Sequence, residues 1–389
     1  TMLDFQNTET AFSIKSDRDI RRAYFMYKMI SYPWIVKIAN QLIKVAAAIR
    51  FPINWIVKPT VYAQFCGGET IADCAPVIDK IRGGGVYSIL DYSVEGSEDD
   101  ALIEQALEET LNVIAYAVTN DSIPFTVFKP TAFAKSDALE VLSGSEEPDE
   151  ESRREGEKFR ERVGRLCERA ARYGIPIMID AEDSWYQEII DRVVMENMTK
   201  YNKEKPIVFN TYQMYRHDRL ERLKRDHAEA KKGKFFLGAK FVRGAYMEKE
   251  RERAEEMGYE DPIQVDKPAT DRDYNLALKY TLEHLDDFAV FNGTHNEESS
   301  RYMAELMDEM KIPRNDERCW FSQLYGMSDH ISFNLAAEGY NVAKYVPYGP
   351  VKFVLPYLMR RAEENTSVKG QTSRELMLLT KEKKRRRKI

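Results

Sequence analysis

Hydrophobic residues recur along the chain at two spacings, and the change between them divides the sequence into regions. Over residues 8–82 apolar side chains return every three or four positions, as at Ile20, Ala23 and Tyr27, which is the period of an amphipathic helix. The glycine run 83–85 interrupts this pattern. Beyond it, short apolar runs alternate with helical patterns. We therefore predict an N-terminal helical arm followed by repeated strand–helix units.

Eight strand–helix units can be counted after the glycine run. Each predicted strand is a short apolar run, as expected for parallel strands covered on both faces. Eight such units in series predict an α/β fold, a (β/α)8 barrel of the TIM type with an N-terminal helical extension. The predicted strands are Val86–Asp91, Phe125–Lys129, Ile175–Asp180, Ile207–Gln213, Phe235–Tyr246, Ala289–Asn292, Trp320–Leu324 and Ala343–Pro347. The predicted helices are 101–118, 151–173, 184–199, 216–232, 248–256 with 271–286, 297–310, 328–338 and 351–365.

An open, doubly wound sheet is the alternative architecture. Such a sheet often carries G-x-G-x-x-G after a strand to bind a dinucleotide, and no such motif follows a predicted strand here. The barrel is therefore favoured. We expect three regions, namely a helical arm over 1–82, a catalytic barrel over 83–370 and a basic helical tail over 371–389.

Charge and cysteine usage narrow the classes of function and compartment. The formal net charge is -6, which disfavours a general nucleic-acid binder. Four scattered cysteines without C-x-x-C spacing indicate neither a disulfide framework nor a zinc site, and they favour a reducing cytoplasm. We see no signal peptide at the start, and no apolar run reaches the roughly 18 residues needed to cross a bilayer.

The barrel prediction directs attention to the carboxyl ends of the strands, where catalytic groups of such barrels lie. Three of these polar residues have other plausible interpretations: Lys129 as a solvent-exposed lysine, Asp180 as a helix-capping acid, and His295 as a hydrogen-bonded structural group. The polar residues after the predicted strands are Glu95, Lys129, Asp180, Glu182, Gln213, Arg243, Tyr246, Thr294, His295, Asn296, Gln323, Tyr325, Tyr345 and Tyr348.

Adjacent arginines in the last predicted barrel helix add a second signal. Arg360 and Arg361 are followed within a turn by Glu363 and Glu364. Two planar guanidinium groups can hold one carboxylate through paired hydrogen bonds. The alternative is a solvated helix face on which these charges pair with one another.

Convergence of cations on one barrel mouth would create a pocket for a small anion. The cations are Lys129, Lys240, Arg360 and Arg361, with Tyr246, Leu324 and Tyr345 as neighbouring aromatic and apolar side chains. The spacing of histidine, cysteine and carboxylate residues indicates no metal site, and no Gly-x-Ser-x-Gly nucleophile motif occurs. The chemistry must then come from a cofactor.

Several motifs, in order along the chain, resemble those of the proline dehydrogenase family. The residues in these motifs are closer to those of the stand-alone, mitochondrial-type enzymes than to those of the bifunctional bacterial ones. The motifs are Ile179-Asp180-Ala181-Glu182, Phe209-Asn210-Thr211-Tyr212-Gln213, Phe241-Val242-Arg243-Gly244-Ala245-Tyr246, Gly293-Thr294-His295-Asn296, Lys344-Tyr345-Val346-Pro347-Tyr348-Gly349-Pro350 and Tyr357-Leu358-Met359-Arg360-Arg361-Ala362-Glu363-Glu364-Asn365.

The resemblance implies an FAD-dependent enzyme with a distorted (β/α)8 barrel that catalyses the first step of proline catabolism. L-Proline would be oxidised to Δ1-pyrroline-5-carboxylate by hydride transfer from C5 to flavin N5, and the electrons would pass to a quinone. By motif, the substrate carboxylate would be held by Arg360, Arg361 and Lys129, and the substrate ring would pack on Tyr246, Leu324 and Tyr345. Asp180 would order the active site. Glu95 would form a gate with Arg360, and Glu364 would brace the arginines.

The resemblance also implies a set of flavin-binding residues. Lys240 occupies a position where many relatives have Arg, so the charge is kept while the planar fork is lost. The implied cofactor residues are Asp180, Gln213, Lys240, Val242, Gly244, Ala245, Tyr246, Lys267, Thr270, Thr294, His295, Asn296, Gln323, Leu324 and Glu364.

Two other functions compete with proline oxidation. Hydroxyproline dehydrogenase is a sister enzyme in which, by resemblance, a smaller Ser stands at the position of Tyr345. A barrel that binds amino acids without chemistry is the alternative from another class.

A quinone acceptor would bring the enzyme to the inner membrane face as a peripheral protein, through the helices of 17–57 or the basic tail Lys381–Lys388.

Overall fold

The computed structural model of the chain describes residues 3–93, 98–367 and 371–387. It confirms the predicted α/β fold, since eight parallel strands alternate with helices in a nearly closed barrel. The order of the strands in the sheet is β1-β8-β7-β6-β5-β4-β3-β2. The strands are β1 (Tyr87–Tyr92), β2 (Thr126–Phe128), β3 (Ile177–Ile179), β4 (Val208–Gln213), β5 (Leu237–Val242), β6 (Phe288–Gly293), β7 (Cys319–Leu324) and β8 (Val342–Tyr348).

Helices precede, connect and follow the strands. Before β1 lie α1 (Thr8–Ala11), α2 (Asp17–Ile30), α3 (Pro33–Ala48), α4 (Asn54–Val57), α5 (Ala63–Phe65) and α6 (Ala75–Gly83). Between the strands lie α7 (Asp100–Val118), α8 (Ser136–Ser143), α9 (Glu150–Tyr173), α10 (Ser184–Tyr201), α11 (Arg219–Gly233), α12 (Met247–Met257), α13 (Lys267–Glu283), α14 (Glu297–Glu309) and α15 (Asp329–Ala337), and after β8 come α16 (Val351–Ser367) and α17 (Gln371–Arg386).

The chain forms two compact units. The first combines Thr1–Val94 with Gln323–Ile389, and the second is Glu95–Ser322. The first unit therefore joins the two ends of the chain, and the second holds the middle of it. The division into an arm, a barrel and a tail stays a prediction.

In the first unit, buried apolar side chains of the N-terminal helices pack with those of α16 and α17. Tyr27 of α2 is buried, and its hydroxyl donates to the carbonyl of Gly326 at 2.7 Å. In the last helix, Glu375 accepts a hydrogen bond from the backbone N–H of Ser328 at 2.6 Å. These contacts tie both ends of the chain to the segment that follows β7.

In the second unit, an aromatic cluster fills part of the core. The ring of Phe125 contacts Phe209, Phe291 and Trp320 edge-on, with centroid distances of 5.6, 5.2 and 5.1 Å. These residues come from the starts or middles of strands. The aromatic cluster thus packs the middle of the unit and leaves the carboxyl ends of the strands to polar side chains.

The fifth strand ends earlier than the sequence predicts. Phe235–Tyr246 was expected to be extended, but β5 covers only Leu237–Val242. Gly244 has φ +137°, a conformation that residues with a side chain rarely adopt, and a Cβ there would lie within 2.6 Å of three ring atoms of Tyr215. Glycine is required at this turn, and the turn ends the strand.

None of the described helices combines the length and the apolar character needed to cross a membrane. The four cysteines, Cys66, Cys74, Cys167 and Cys319, are buried and carry thiol groups. Burial raises the pKa of each thiol above its ordinary value. These cysteines are therefore packing residues in the thiol form.

Candidate active site

Charged side chains from neighbouring strands come together in the second unit. Lys129 follows β2, Asp180 and Glu182 follow β3, and Lys240 lies in β5. Strands β2 to β5 pair in parallel with one another, so their carboxyl ends lie at one edge of the sheet. We call Lys129, Asp180, Glu182, Gln213 and Lys240 the strand-end cluster.

An ion pair links two strands of this cluster. Lys240 Nζ donates to Asp180 Oδ1 at 2.5 Å, and the two side chains are 6% and 14% exposed. The capping interpretation of Asp180 is wrong, because the residue at the start of α10 in the N-cap position is Asp183. A buried pair of this kind is costly to break, since each charge has lost its water.

Glu182 is buried beside this pair, and the sequence assigned it no role. Its Oε1 accepts hydrogen bonds from the hydroxyl of Thr131 at 3.0 Å and from the backbone N–H of Thr131 at 3.4 Å. Burial raises the pKa of Glu182 to about 7, although the charge of Lys129 and the bond from Thr131 lower it. The carboxyl group can therefore hold a proton near neutral pH. Its position two residues after Asp180 was the signal available in the sequence.

Gln213 completes the cluster at the end of β4. Its side chain is buried, and Nε2 donates to the backbone carbonyl of Glu182 at 2.7 Å. The bond fixes the amide at the end of β4, and the adjacent strand β5 carries Lys240, which pairs in register with Thr211. The cluster thus presents an ammonium group and a held amide.

A second polar group in this unit is organised by Arg243, another residue whose role the sequence did not reveal. Its guanidinium group donates to Asp271 Oδ1 at 2.8 Å and to Thr294 Oγ1 at 2.8 Å. Asp271 also accepts from Lys267 Nζ at 2.5 Å. Arg243 and Asp271 therefore connect the predicted residues Lys267 and Thr294.

The start of α14 lies in the same polar group. Asn296 caps this helix, since its Oδ1 accepts from the backbone N–H of Ser299 at 2.8 Å. Thr294 is buried, while His295 is half-buried. Thr270, at the start of α13, is also buried. Two helix starts therefore carry residues that the resemblance assigned to FAD, and helix N-termini favour anions such as its phosphates.

The turn after β5 carries the remaining predicted residues of the second unit. Val242 is half-buried and Ala245 is exposed. Tyr246 precedes α12, and the Lys249 ammonium lies 5.5 Å from the centre of its ring. Gly244 gives this turn its positive φ. A glycine without a side chain at this turn also allows a bound group to approach the backbone closely.

In the first unit, the arginine pair lies on α16 as predicted. Both Arg360 and Arg361 are half-buried, so the helix face that carries them is only partly exposed to solvent. Arg361 forms an ion pair with Glu364 one turn later. Its guanidinium carbon lies 5.1 Å from the centre of the Tyr357 ring. Glu364 is thus placed to orient one arginine.

Strand β8 and the end of β7 supply the apolar residues of the first unit. Tyr345 is buried in β8, and its carbonyl accepts from the backbone N–H of Tyr325 at 2.8 Å. The carbonyl of Leu324 accepts from Lys344 Nζ at 3.3 Å. Gln323 is buried, and its Oε1 accepts from the Ser332 hydroxyl at 2.7 Å. Both chain segments are therefore held by hydrogen bonds within this unit.

One predicted residue, Glu95, lies outside the described residues. Within 3–93, 98–367 and 371–387, no group of three or more His, Cys, Asp or Glu side chains is arranged to hold a metal ion. The predicted residues thus form a strand-end cluster and an Arg243 group in the second unit, and an arginine helix with two apolar strand ends in the first.

Comparison with known proteins bears directly on these motifs. A family model described as proline dehydrogenase matches residues 74–374. The chain is 32% identical over 426 residues to proline dehydrogenase 1, mitochondrial, from Dictyostelium discoideum. This alignment covers 98% of this chain and 74% of that protein. The chain is also 31% identical over 412 residues to hydroxyproline dehydrogenase from Xenopus laevis. This alignment covers 96% of this chain and 88% of that protein.

A solved structure has the same fold. Proline utilization A from Bdellovibrio bacteriovorus matches with a TM-score of 0.72 and 20% identity over 94% of this chain. The chain spans 40% of that longer protein. At this identity the match shows a shared fold. The resemblance that the motifs indicated is confirmed by the family model, whose match spans all of them.

Proposed function

Since the chain belongs to the proline dehydrogenase family, we propose that it oxidises L-proline to Δ1-pyrroline-5-carboxylate with FAD, the first step of proline catabolism. The observation that carries this proposal is the strand-end cluster. In it the ammonium of Lys240 and the amide of Gln213 are buried on adjacent strands, and Lys129 lies near a carboxyl group that titrates close to neutrality. Such a set suits an enzyme that binds a flavin and an amino-acid anion.

FAD fits the residues of the second unit. Lys240 and Gln213 offer hydrogen-bond donors for an isoalloxazine ring, and the starts of α13 and α14 offer polar groups for phosphates. When bound, FAD would supply the oxidising power by accepting hydride from C5 of the substrate at N5. The residues of the second unit proposed to hold it are Asp180, Gln213, Lys240, Val242, Gly244, Ala245, Tyr246, Lys267, Thr270, Thr294, His295 and Asn296. Gln323, Leu324 and Glu364 of the first unit are proposed for FAD from the resemblance alone.

Substrate recognition is assigned to three cations. We place the carboxylate on Arg360, Arg361 and Lys129, because guanidinium and ammonium donors make strong, charge-assisted bonds to carboxylates. Glu364 supports this role by holding Arg361. The pyrrolidine ring is assigned to Tyr246, Leu324 and Tyr345, and Glu95 is assigned to a gate with Arg360.

The protein also has to favour a neutral substrate amine, because its lone pair assists the departure of hydride. Nearby positive charge lowers the pKa of an amine. Lys129 supplies such charge, while Asp180 holds Lys240 by its ion pair. Asp180 thereby helps to fix the position of that ammonium group.

Electrons are proposed to leave for a quinone, and the enzyme to act as a peripheral protein at the inner membrane face. Several relatives carry mitochondrial in their names, which supports a membrane-bound acceptor. A quinone resides in the bilayer, so an enzyme that reduces it has to reach the membrane surface.

Hydroxyproline oxidation is the second candidate, since the Xenopus laevis hydroxyproline dehydrogenase matches nearly the whole chain. Tyr345 favours proline, because its large buried ring leaves little room for an added hydroxyl group. We expect trans-4-hydroxy-L-proline to be a poor substrate and Tyr345→Ser to raise its kcat/KM relative to that of proline. Equal turnover of the two substrates by the unchanged protein would contradict this choice.

The deciding experiment is a flavin spectrum with and without proline. The purified protein should bind FAD, be yellow, and lose its visible absorbance when proline is added without oxygen. D-Proline serves as a matched control and should leave the spectrum unchanged. A protein that stays colourless after reconstitution with FAD would favour the non-catalytic amino-acid-binding barrel.

A further inference from the structure

Helix α3 exposes an apolar face to solvent instead of burying it. Trp34, Ile38, Leu42, Val45 and Ile49 recur at helical spacing, and they are between 51% and 68% exposed. At 100° per residue all five lie within a narrow arc of the helix. Contiguous apolar patches of this kind on a protein surface mark an interaction site.

The opposite face of α3 is the one that packs on the protein. Val36 and Asn40 are buried, and Asn40 Nδ2 donates to Glu363 Oε1 at 2.7 Å. Glu363 lies on α16, the helix that carries the arginine pair. The helix is therefore held firmly through one side while its apolar side faces outward, so the exposure is a property of the folded first unit.

The exposed face continues past the helix. Phe51, Trp55 and Ile56 are each at least half exposed, and Trp55 reaches 69%. Tyr32, just before α3, is 41% exposed. Two tryptophans and a tyrosine in one exposed apolar surface are typical of side chains that settle at the headgroup level of a bilayer. We call Tyr32, Trp34, Ile38, Leu42, Val45, Ile49, Phe51, Trp55 and Ile56 the apolar face.

The chain segment that carries the apolar face has charges of one sign, although two of its basic residues, Arg22 and Lys58, pair with Asp19 and Glu69 just outside it. Although the whole chain has a formal net charge of -6, the segment 20–68 contains no Asp or Glu. Two of its lysines, Lys37 and Lys44, lie on α3 itself and are exposed. An anionic lipid surface complements such a segment, whereas a second copy of the chain would bring the same positive charge against it. The basic residues of the segment are Arg21, Arg22, Lys28, Lys37, Lys44, Arg50 and Lys58.

The basic tail is a weaker candidate for the same partner, because several of its described charges are already engaged within the first unit. Arg385 and Arg386 both bond to Glu382, and Arg386 also pairs with Asp17 at 2.9 Å. The Lys383 ammonium lies 4.0 Å from the centre of the Tyr24 ring. The tail therefore contributes to packing of the N-terminal helices.

We propose that the apolar face is a membrane-docking surface that inserts into the headgroup region of an anionic bilayer, with the segment's basic residues on the lipid headgroups. This deepens the proposed function, because it names the surface through which the enzyme would meet a membrane-bound quinone. Since α3 is hydrogen-bonded to α16, docking places the arginine helix directly behind the lipid-facing helix.

The test is co-sedimentation of the full chain with phosphatidylcholine vesicles that contain or lack about one third phosphatidylserine. We expect binding to the anionic vesicles, weakened by salt. The double variant Ile38→Glu/Leu42→Glu should lower the bound fraction about tenfold or more. Lys37→Glu/Lys44→Glu should lower it on anionic vesicles only. Val265→Glu is the matched control, since Val265 is 85% exposed in the second unit and should tolerate the charge without effect.

Two results would overturn the proposal. One is binding to vesicles that Ile38→Glu/Leu42→Glu leaves unchanged, and the other is no binding by the unchanged chain. If light scattering shows a dimer that this variant dissolves while vesicles never bind, the occupant is a second copy. Flavin bleaching by proline is measured in the same samples without vesicles, so failure of the proposed catalysis is distinguishable from failure of docking.

Discussion

The two groups of cations in this protein are held in different ways. In the second unit, Lys240 takes its counter-ion from Asp180, which follows a different strand, β3, and lies far away in the chain. In the first unit, Arg361 takes its counter-ion from Glu364, one turn further along the same helix. The lysine is nearly buried, while the arginine pair is half-buried. A counter-ion from the same helix orients a group that stays accessible, whereas a buried cross-strand pair makes the fold itself depend on the charges.

The largest effect should follow removal of the buried cross-strand pair. Lys240→Met takes away one charge and leaves Asp180 buried without this ion pair, so we expect a loss of about 3 kcal/mol in the free energy of unfolding. FAD content should fall in parallel if Lys240 holds the flavin. Denaturant unfolding and the ratio of flavin to protein absorbance measure the two effects.

Lys267→Met is the matched control for the unfolding measurement. Lys267 also forms a Lys–Asp pair, with Asp271, but its side chain is 71% exposed. An exposed pair contributes little, so the change in unfolding free energy should stay below about 0.5 kcal/mol. Equal destabilisation by both variants would remove the distinction between the two kinds of pair.

On α16 the expected effect is on substrate binding and not on folding. Arg361→Met should raise KM for proline about 100-fold, because a charge-assisted bond to the carboxylate is lost. Unfolding should change by less than about 1 kcal/mol, since the ion pair with Glu364 is local to one helix. Steady-state kinetics with a soluble electron acceptor measure KM. An unchanged KM would exclude Arg361 as a carboxylate partner.

The strand-end cluster should also make stability depend on pH through Glu182. Its pKa is raised to about 7 by burial, so the folded state keeps a proton that the unfolded chain loses above its ordinary pKa. Stability should therefore fall as pH rises from about 5 to 8, by about 2 kcal/mol from this group. Glu182→Gln should flatten that slope in unfolding curves recorded across this range. The exposed Glu204→Gln is the control and should keep the slope of the unchanged protein.

The smallest effect is expected for the local brace on the arginine helix. Glu364→Gln keeps the shape of the side chain and removes its charge, so Arg361 loses orientation but not its own charge. We expect KM for proline to rise only about three- to tenfold, in line with the weak energy of an i,i+3 pair. A rise as large as that of Arg361→Met would mean that Glu364 does more than orient the arginine.

Local features of this protein were open to prediction because they depend on neighbouring residues. Short apolar runs separated by helical periods predict eight parallel strands, and all eight occur near the expected positions. The sequence predicts an end of β5 that lies too far along the chain, because an apolar run does not reveal that the backbone turns at Gly244 against the ring of Tyr215. The pairing of arginines with glutamates on α16 was also predictable, although the partner of Arg361 was left open.

The roles of Glu182 and Arg243 were not predictable in the same way. Both were visible as polar residues at strand ends, but their partners come from other elements. Glu182 interacts with Thr131 and Lys129. Arg243 interacts with Asp271 and Thr294. Only folding of the sheet brings these groups together. Burial, which sets the pKa of Glu182, is likewise a property of the packed unit.

The sequence by itself determined the order of strands and helices, the family motifs and the apolar period of α3, since each depends on residues a few positions apart. The tertiary structure decided which charges meet across strands and which apolar faces are covered. The apolar residues of α2 at Ile20 and Tyr27 are buried, whereas those of α3 at Ile38 and Leu42 face solvent. Periodicity gives a helix an apolar face, but only the packing of other elements removes that face from water.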